Sequence, residues 1–236
     1  MLGGGLSIES MKERVSVRRT KDEKEEKAAV LSAQKSVLRE YAEALIIAIL
    51  LALVIRTFVV QAFKIPSGSM LPTLKIGDHI LVNKFIYYFE PIRRGNIIVF
   101  KFPQDETRDF IKRVIGLPGE TIEIRGRQVL INGIALKEPY AVFSDGPFAQ
   151  AMEREHLGPF VIPPGKLFMM GDNRDHSMDS RVWGLLDMGK IRGEAFIVYF
   201  SLRSEDIPYD SAVPSLIYVF AHPSIIRWSR LGTIVH

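Results

Sequence analysis

The sequence predicts a mostly β protein, an antiparallel sheet with a small β-hairpin subdomain, preceded by one N-terminal membrane-spanning helix. Three observations carry this expectation. Beyond Pro66 the apolar residues fall in short runs with strand-like alternation. Asn132-Gly133 stands between Val129-Leu130-Ile131 and Ile134-Ala135-Leu136, a hairpin signal because both central residues tolerate positive φ. Upstream of all this lies Ala44 to Ile55, uncharged and apolar throughout.

Taken in order, residues 1–40 read as a charged, mobile tail. Lys12, Arg14, Arg18, Arg19, Lys21, Lys24 and Lys27 alternate with acids and leave few apolar anchors, although Glu23 to Leu31 can extend as a helix. Residues 41–63 follow as the membrane helix. Counting through Arg56 and Gln61 to Phe63, the stretch reaches ~30 Å as helix, the thickness of a hydrocarbon core. Arg56 can keep its head at an interface, while Lys35 and Arg39 flank the other end and favour a cytoplasmic N-terminus. A cleaved leader ending near Val60-Gln61-Ala62 and a buried soluble helix are the competing readings. The long acidic leading region argues against the first.

Residues 64–236 then form the extracytoplasmic β domain. Strands are expected at His79–Val82, Asn96–Phe102, Phe110–Ile115, Thr121–Arg125, Gln128–Ile131 and Ala195–Phe200, with a smaller inserted unit at about 120–165. Pro118-Gly119, Pro163-Pro164-Gly165 and Gly171 mark turns. No repeat appears, and no later segment is long enough for a second span.

With 236 residues there is room for about one ordinary domain after the tail and the membrane segment. The net charge of +4 comes from 31 basic and 27 acidic residues interspersed along the chain, which is too balanced for a nucleic-acid surface. Having no cysteine excludes thiol catalysis, zinc–thiolate sites and disulfides.

Two features carry possible chemistry. Ser67-Gly68-Ser69-Met70, bracketed by Pro66 and Pro72, holds two hydroxyls in a restricted turn. It needs a base to mean anything. None of the five histidines has the context of a Ser/His/Asp arrangement. His176 lies among Asp172, Asp175 and Asp179, but Arg174 occupies a ligand position of the calcium-loop pattern and glycine is missing from the sixth, so no metal is expected. Lys112, in Phe110-Ile111-Lys112-Arg113-Val114-Ile115, is the other possibility. Strand alternation sends Lys112 and Arg113 to opposite faces. If Lys112 shares a face with Phe110 and Val114 it is desolvated, which lowers its pKa from ~10.4 and makes it a usable base. On these residues alone, two solvated strand cations are the better reading.

Resemblance extends this reading. Ile65-Pro66-Ser67-Gly68-Ser69-Met70-Leu71-Pro72-Thr73-Leu74 looks like the nucleophile motif of bacterial type I signal peptidases, the Ser/Lys serine proteases also called leader peptidases. Arg94-Gly95-Asn96-Ile97-Ile98-Val99-Phe100 resembles the strand before their lysine, and Ile111-Lys112-Arg113-Val114-Ile115-Gly116-Leu117-Pro118-Gly119 resembles the lysine block. Gly171-Asp172-Asn173-Arg174-Asp175-His176-Ser177-Met178-Asp179-Ser180-Arg181 resembles the final signature. The likeness runs from the apolar segment to about Phe200.

The resemblance implies an endopeptidase that cleaves signal peptides from exported preproteins after an Ala-x-Ala-type site, in the bacterial inner membrane. It implies Ser69 as nucleophile and neutral Lys112 as general base, with the Ser67 hydroxyl and Ser69 N–H as oxyanion hole. Ser177 is implied to orient Lys112 by a hydrogen bond, and Asp179 and Arg181 to form a structural ion pair behind the site. Phe63, Ile65, Met70, Leu74, Val99 and Ile111 are expected on the walls of shallow pockets for small side chains. Partners are signal peptides and the lipid bilayer; no cofactor, metal or nucleic acid is expected. Three departures from the commoner wording stand out: Asn96 for Asp, Phe110 for Tyr and His176 for Asn. Only the second touches the site, where a hydroxyl beside the lysine is lost and the desolvating ring kept. Ser32 to Lys35 spells the Ser-x-x-Lys of penicillin-binding enzymes without its companion motifs. Soluble self-cleaving repressors share Ser/Lys chemistry but not the anchor, and an idle membrane-tethered binder has no reason to hold all of Ser67, Ser69, Lys112 and Ser177. Trp228 has the amphipathic character of an interfacial side chain.

Overall fold

The computed structural model describes residues 39–53, 59–144, 156–203, 219 and 221–236. The expected tail, apart from its last residues, and Arg56 lie outside the described residues. The chain divides into two units, 1–55 and 56–236.

In the first unit, helix α1 occupies residues 39–53, with Arg39 and Glu43 paired one turn apart at 2.7 Å. These residues make about 22 Å of helix, and among the described residues no helix is long and apolar enough to cross a membrane. The expected helix end at Phe63 is corrected by the structure. Val60–Lys64 is strand β1, paired antiparallel with β2 (Asp78–Asn83) from Val60↔Asn83 to Lys64↔His79. An apolar stretch such as Val59-Val60-Gln61-Ala62-Phe63 fits a helix or a strand, and the ladder with β2 decides it.

The second unit holds two sheets. After β2 comes a one-turn helix, α2 (Ile86–Phe89), and then β3 (Ile97–Phe102) and β4 (Asp105–Gly116). The chain goes on to build the smaller sheet from β5 (Thr121–Arg125), β6 (Gln128–Ile131), β7 (Ile134–Ala135) and β8 (His156–Val161). It returns to the larger sheet with β9 (Lys166–Met170), a one-turn helix α3 (Ser180–Trp183), β10 (Leu186–Asp187), β11 (Ile191–Ser201) and β12 (Thr233–Ile234). The larger sheet runs β1-β2-β11-β3-β4-β9-β10, with β12 added to β11, and the smaller runs β7-β6-β5-β8. Every strand pair is antiparallel.

The strand patterns explain where the cores lie. β3 reads as a continuous apolar run because both its faces are covered. Ile97 and Val99 join Ile65, Met70, Leu74, Ile80 and Val82 in one core, whereas Ile98 and Phe100 join Val114, Leu167 and Met169 in another. A third core, with Ile115, Ile122, Ile124 and Phe168, ties the smaller sheet to the ends of β4 and β9. The hairpin expected at Asn132-Gly133 joins β6 to β7, with φ of 52° and 78°.

Candidate active site

The serine loop leaves β1 and is pinned from three directions. Its start continues the ladder, Ile65 N donating to Asp78 O at 2.8 Å and Gly77 N to Ile65 O at 2.9 Å. Met70 and Leu74, four residues apart, close a turn (Leu74 N to Met70 O, 2.9 Å) and are wholly buried. From the C-terminal end of the chain, Arg230 and the Ser201 hydroxyl (2.6 Å) converge on buried Asp78. The third anchor is the 171–174 segment: Asn173 N donates to Ser69 O at 3.1 Å, and its side-chain amide donates to Gly68 O at 3.2 Å. Gly171 permits this approach, because a Cβ there would land on Ser69 O and the Ser177 side chain.

β4 brings the lysine to this loop. Lys112 Nζ lies 2.7 Å from Ser69 Oγ and 3.0 Å from its neighbour's carbonyl, Ile111 O. The residue is only 4% exposed, on the face it shares with Phe110, whose ring centroid is 5.5 Å from Nζ. Burial pushes its pKa down from 10.5 to about 8, against the opposing pull of Asp179 and Asp172.

Arg113 goes to the opposite face and is equally buried at 2%. There it meets Asp172 in a bidentate pair (Nε to Oδ1 2.8 Å, an Nη to Oδ2 2.7 Å), donates to Gly95 O at 2.9 Å, and stacks 3.9 Å from the Tyr140 ring centroid. Asp172 also accepts the Thr73 hydroxyl at 2.5 Å, so the pair links β4 to the serine loop as well as to the 171–174 segment. Asp179 and Arg181 form a second bidentate pair at 2.7 Å for both bonds. Asp179 Oδ2 takes the Gly171 N–H at 3.1 Å, and Arg181 donates to Arg174 O at 2.8 Å, so this pair fixes both ends of the segment that grips Ser69.

Sequence reasoning missed a third support, Glu138. It pairs with buried Arg174 at 2.5 and 3.0 Å, while Val142 adds main-chain bonds to Asp172 and Arg174. The available signal was the buried-side charge of Arg174 within an otherwise turn-like block; nothing local singled out Glu138 as its partner.

Two expectations are corrected. Ser177 does not hydrogen-bond Lys112: its hydroxyl is buried beside Gly171 with no hydrogen-bond partner among the described residues, and the lysine uses the carbonyl of its own strand instead. Nor are the expected pocket walls where the sequence put them. Ile65, Met70, Leu74 and Val99 point into the closed interior of the larger sheet, and Phe63 packs half-buried against that core. Ile111 alone of the six lines the cleft, a cavity of about 750 Å³ whose other apolar walls are Pro66, Leu71, Phe110 and Met178. Ser67, Ser69 and Lys112 open into it together, and Asn173 and His176 line it as well. Among the described residues no cluster suited to a metal ion occurs.

A serine hydroxyl held against a desolvated amine at the edge of an open cleft is the equipment of a serine-type peptidase. Comparison with known proteins narrows this class. The chain belongs to the family described as signal peptidase, peptidase S26, whose model matches residues 38–200. It is 34% identical to signal peptidase I of Aquifex aeolicus, over 83% of this chain and 98% of that one. It is 42% identical to signal peptidase I of Leptolyngbya laminosa, over 66% and 77%. A crystal structure of a signal peptidase I from Enterococcus faecalis is 31% identical over 44% of this chain and 97% of its own, at a TM-score of 0.36.

Proposed function

We propose that this peptidase removes N-terminal signal peptides from exported preproteins, cutting after an Ala-x-Ala-type site with Ser69 as nucleophile and neutral Lys112 as general base. The observation that carries the reading is the 2.7 Å contact between Ser69 Oγ and a lysine that burial has brought to a pKa of about 8. In the neutral form Nζ has a lone pair for the Ser69 proton. Oγ then attacks the scissile carbonyl, and the resulting ammonium returns the proton to the leaving amine. Water, deprotonated in turn by Lys112, releases the acyl group from Ser69. The tetrahedral oxyanion would be met by the Ser69 N–H, which has no acceptor among the described residues, and by the exposed Ser67 hydroxyl. Asp172, Arg113, Asp179 and Arg181 hold the frame, and the chemistry calls for no cofactor or metal.

The substrate binds as an added strand. β4 pairs with β9 only from Arg113 onward, so the edge it presents from Asp105 to Lys112 is unpaired by any described strand and borders the cleft. An extended peptide laid on that edge alternates its side chains between the Ile111 face and the Phe110 face, so the two alanines of Ala-x-Ala share one face, where shallow apolar walls favour small residues. α1 belongs to a single-pass anchor in the inner membrane of a bacterium, N-terminus cytoplasmic and β domain outside; the exposed Leu45, Ile46, Ile47, Leu50 and Leu51 support that reading. Detergent-solubilised full-length protein mixed with a peptide carrying Ala-x-Ala should give one cut after the second alanine, read by mass spectrometry. No cut, or cuts elsewhere, would sink the assignment.

A further inference from the structure

Arg108 stands in the cleft as a charge the fold does not use. It is exposed on β4 and lines the cavity into which Ser69 and Lys112 open. Among the described residues it donates no hydrogen bond and has no carboxylate within ion-pair distance; its guanidinium rests on the Phe110 ring, 5.4 Å from the centroid. The acids around it are already engaged. Asp105 accepts the Thr107 hydroxyl at 2.6 Å and the Thr107 N–H at 3.1 Å. Glu106 is held by Lys190 at 3.0 Å and Lys101 at 3.6 Å, and Asp109 faces Arg192 at 3.6 Å. Asp109 also lines the cleft, but its charge is offset by Arg192. The other chargeable side chains on that wall, Lys112 and His176, add no negative charge. A peptide entering the cleft therefore meets a wall that is positive on balance.

The sheet decides which part of a substrate that wall meets. One side of β4 is taken by β3, and on the other side β9 joins only from Arg113 onward. The open edge runs from Lys112 back toward Asp105, so a peptide strand seated on it extends from the Ser69–Lys112 pair in that direction. Ala-x-Ala precedes the cut, and farther along the same edge lies the stretch that precedes Ala-x-Ala. Arg108 and Lys112 are four residues apart and both reach the Phe110 ring, at 5.4 and 5.5 Å, which puts them on one face with about 13 Å of strand between them. We infer that Arg108 is a specificity residue, selecting substrates that carry an acidic side chain four to six residues before the scissile bond. Opposite charges facing each other across paired strands attract, and the apolar walls of the cleft strengthen that attraction over its value in open water. The inference rests on the proposed signal-peptide cleavage and strand-like binding, and adds to them a charge preference upstream of Ala-x-Ala.

The test is a set of Ala-x-Ala peptides, identical except for a single glutamate or lysine placed in turn at each position upstream of Ala-x-Ala and at the first few positions after the cut. Each is cleaved by the full-length protein in detergent, and kcat/KM is compared between the glutamate and lysine members of a pair. Glutamate should win by at least about threefold at one of the fourth to sixth positions before the cut, and by less at that position's neighbours, which face the other way. High salt should shrink the gap. Arg108→Gln should erase it, Arg108→Lys should keep it, and Arg108→Glu should invert it. Because each ratio compares two peptides on one enzyme, a general loss of activity in a variant cancels. No gap in the wild type, a gap only after the cut, or a gap that survives in Arg108→Gln overturns the inference. If the unsubstituted peptide is cut normally in that event, the signal-peptide reading stands and only the role of Arg108 falls. If the unsubstituted peptide is not cut, the reading falls and takes the inference with it.

Discussion

Lys112 and Arg113 are adjacent cations, both buried on opposite faces of one strand, and they meet opposite electrical surroundings. Arg113 meets a carboxylate, a carbonyl and an aromatic face, and a guanidinium does not give up its proton in a protein. Among the described residues Lys112 has only a hydroxyl and a carbonyl within hydrogen-bond reach, and burial makes its proton easier to lose. Burial alone therefore does not set the charge of a group; the partner it meets does. The structural pair locks the frame, and the unpaired amine is left for chemistry.

The comparison breaks first if the two positions exchange roles. Ser69→Ala and Lys112→Met should each lower kcat by at least about 10³-fold while the protein stays folded and membrane-bound. Lys112→Arg should be as inactive, because it keeps a charge that cannot be shed, and less stable than the methionine variant. Measurable turnover by Lys112→Arg would refute the Ser/Lys mechanism.

Next in size is the other face. Asp172→Asn leaves Arg113 buried with its charge uncompensated, which costs about 3–5 kcal/mol, read from denaturant midpoints at constant slope. A change below about 1 kcal/mol would mean that Gly95 O and Tyr140 suffice.

Lys112→Met, by contrast, should stabilise. The folded pKa of about 8 lies below the unfolded 10.5, so at neutral pH the wild-type fold bears the cost of a buried ammonium, about 3 kcal/mol before lost hydrogen bonds are subtracted. The advantage of methionine should be full below pH 8 and shrink as pH rises toward 10.5. A constant gap would show that the lysine's proton is not involved. In the same protein, kcat/KM should rise about tenfold per pH unit up to about 8 and then level, and His176→Ala should leave that profile in place.

Least affected should be a solvent-accessible surface pair. Lys190 and Glu106, 3.0 Å apart at the surface, lose their contact in Lys190→Ala with no measurable shift in the unfolding midpoint, because water replaces the partner.

Local pattern made much of this legible. Alternation along Phe110–Ile115 sends the two cations apart, the Asn132-Gly133 turn follows from its backbone freedom, and Pro66 and Pro72 restrict the serine loop. These are properties of a few neighbouring residues, which a sequence states outright. The sequence by itself determined the mostly β class and most strand positions, and it offered Ser69 and Lys112 as candidates that only the family resemblance paired. Only the tertiary structure decided who meets whom. Ser69 reaches Lys112 across 43 residues, Arg113 reaches Asp172 across 59, and Arg230 reaches Asp78 across 152. It also made Val60–Phe63 a strand, sent Met70, Leu74 and Val99 into the core, and gave Ser177 no bond to the lysine. Each of these outcomes is a competition among distant partners for one edge, one cavity or one charge, and periodicity along the chain records the faces that compete but not the partner that wins.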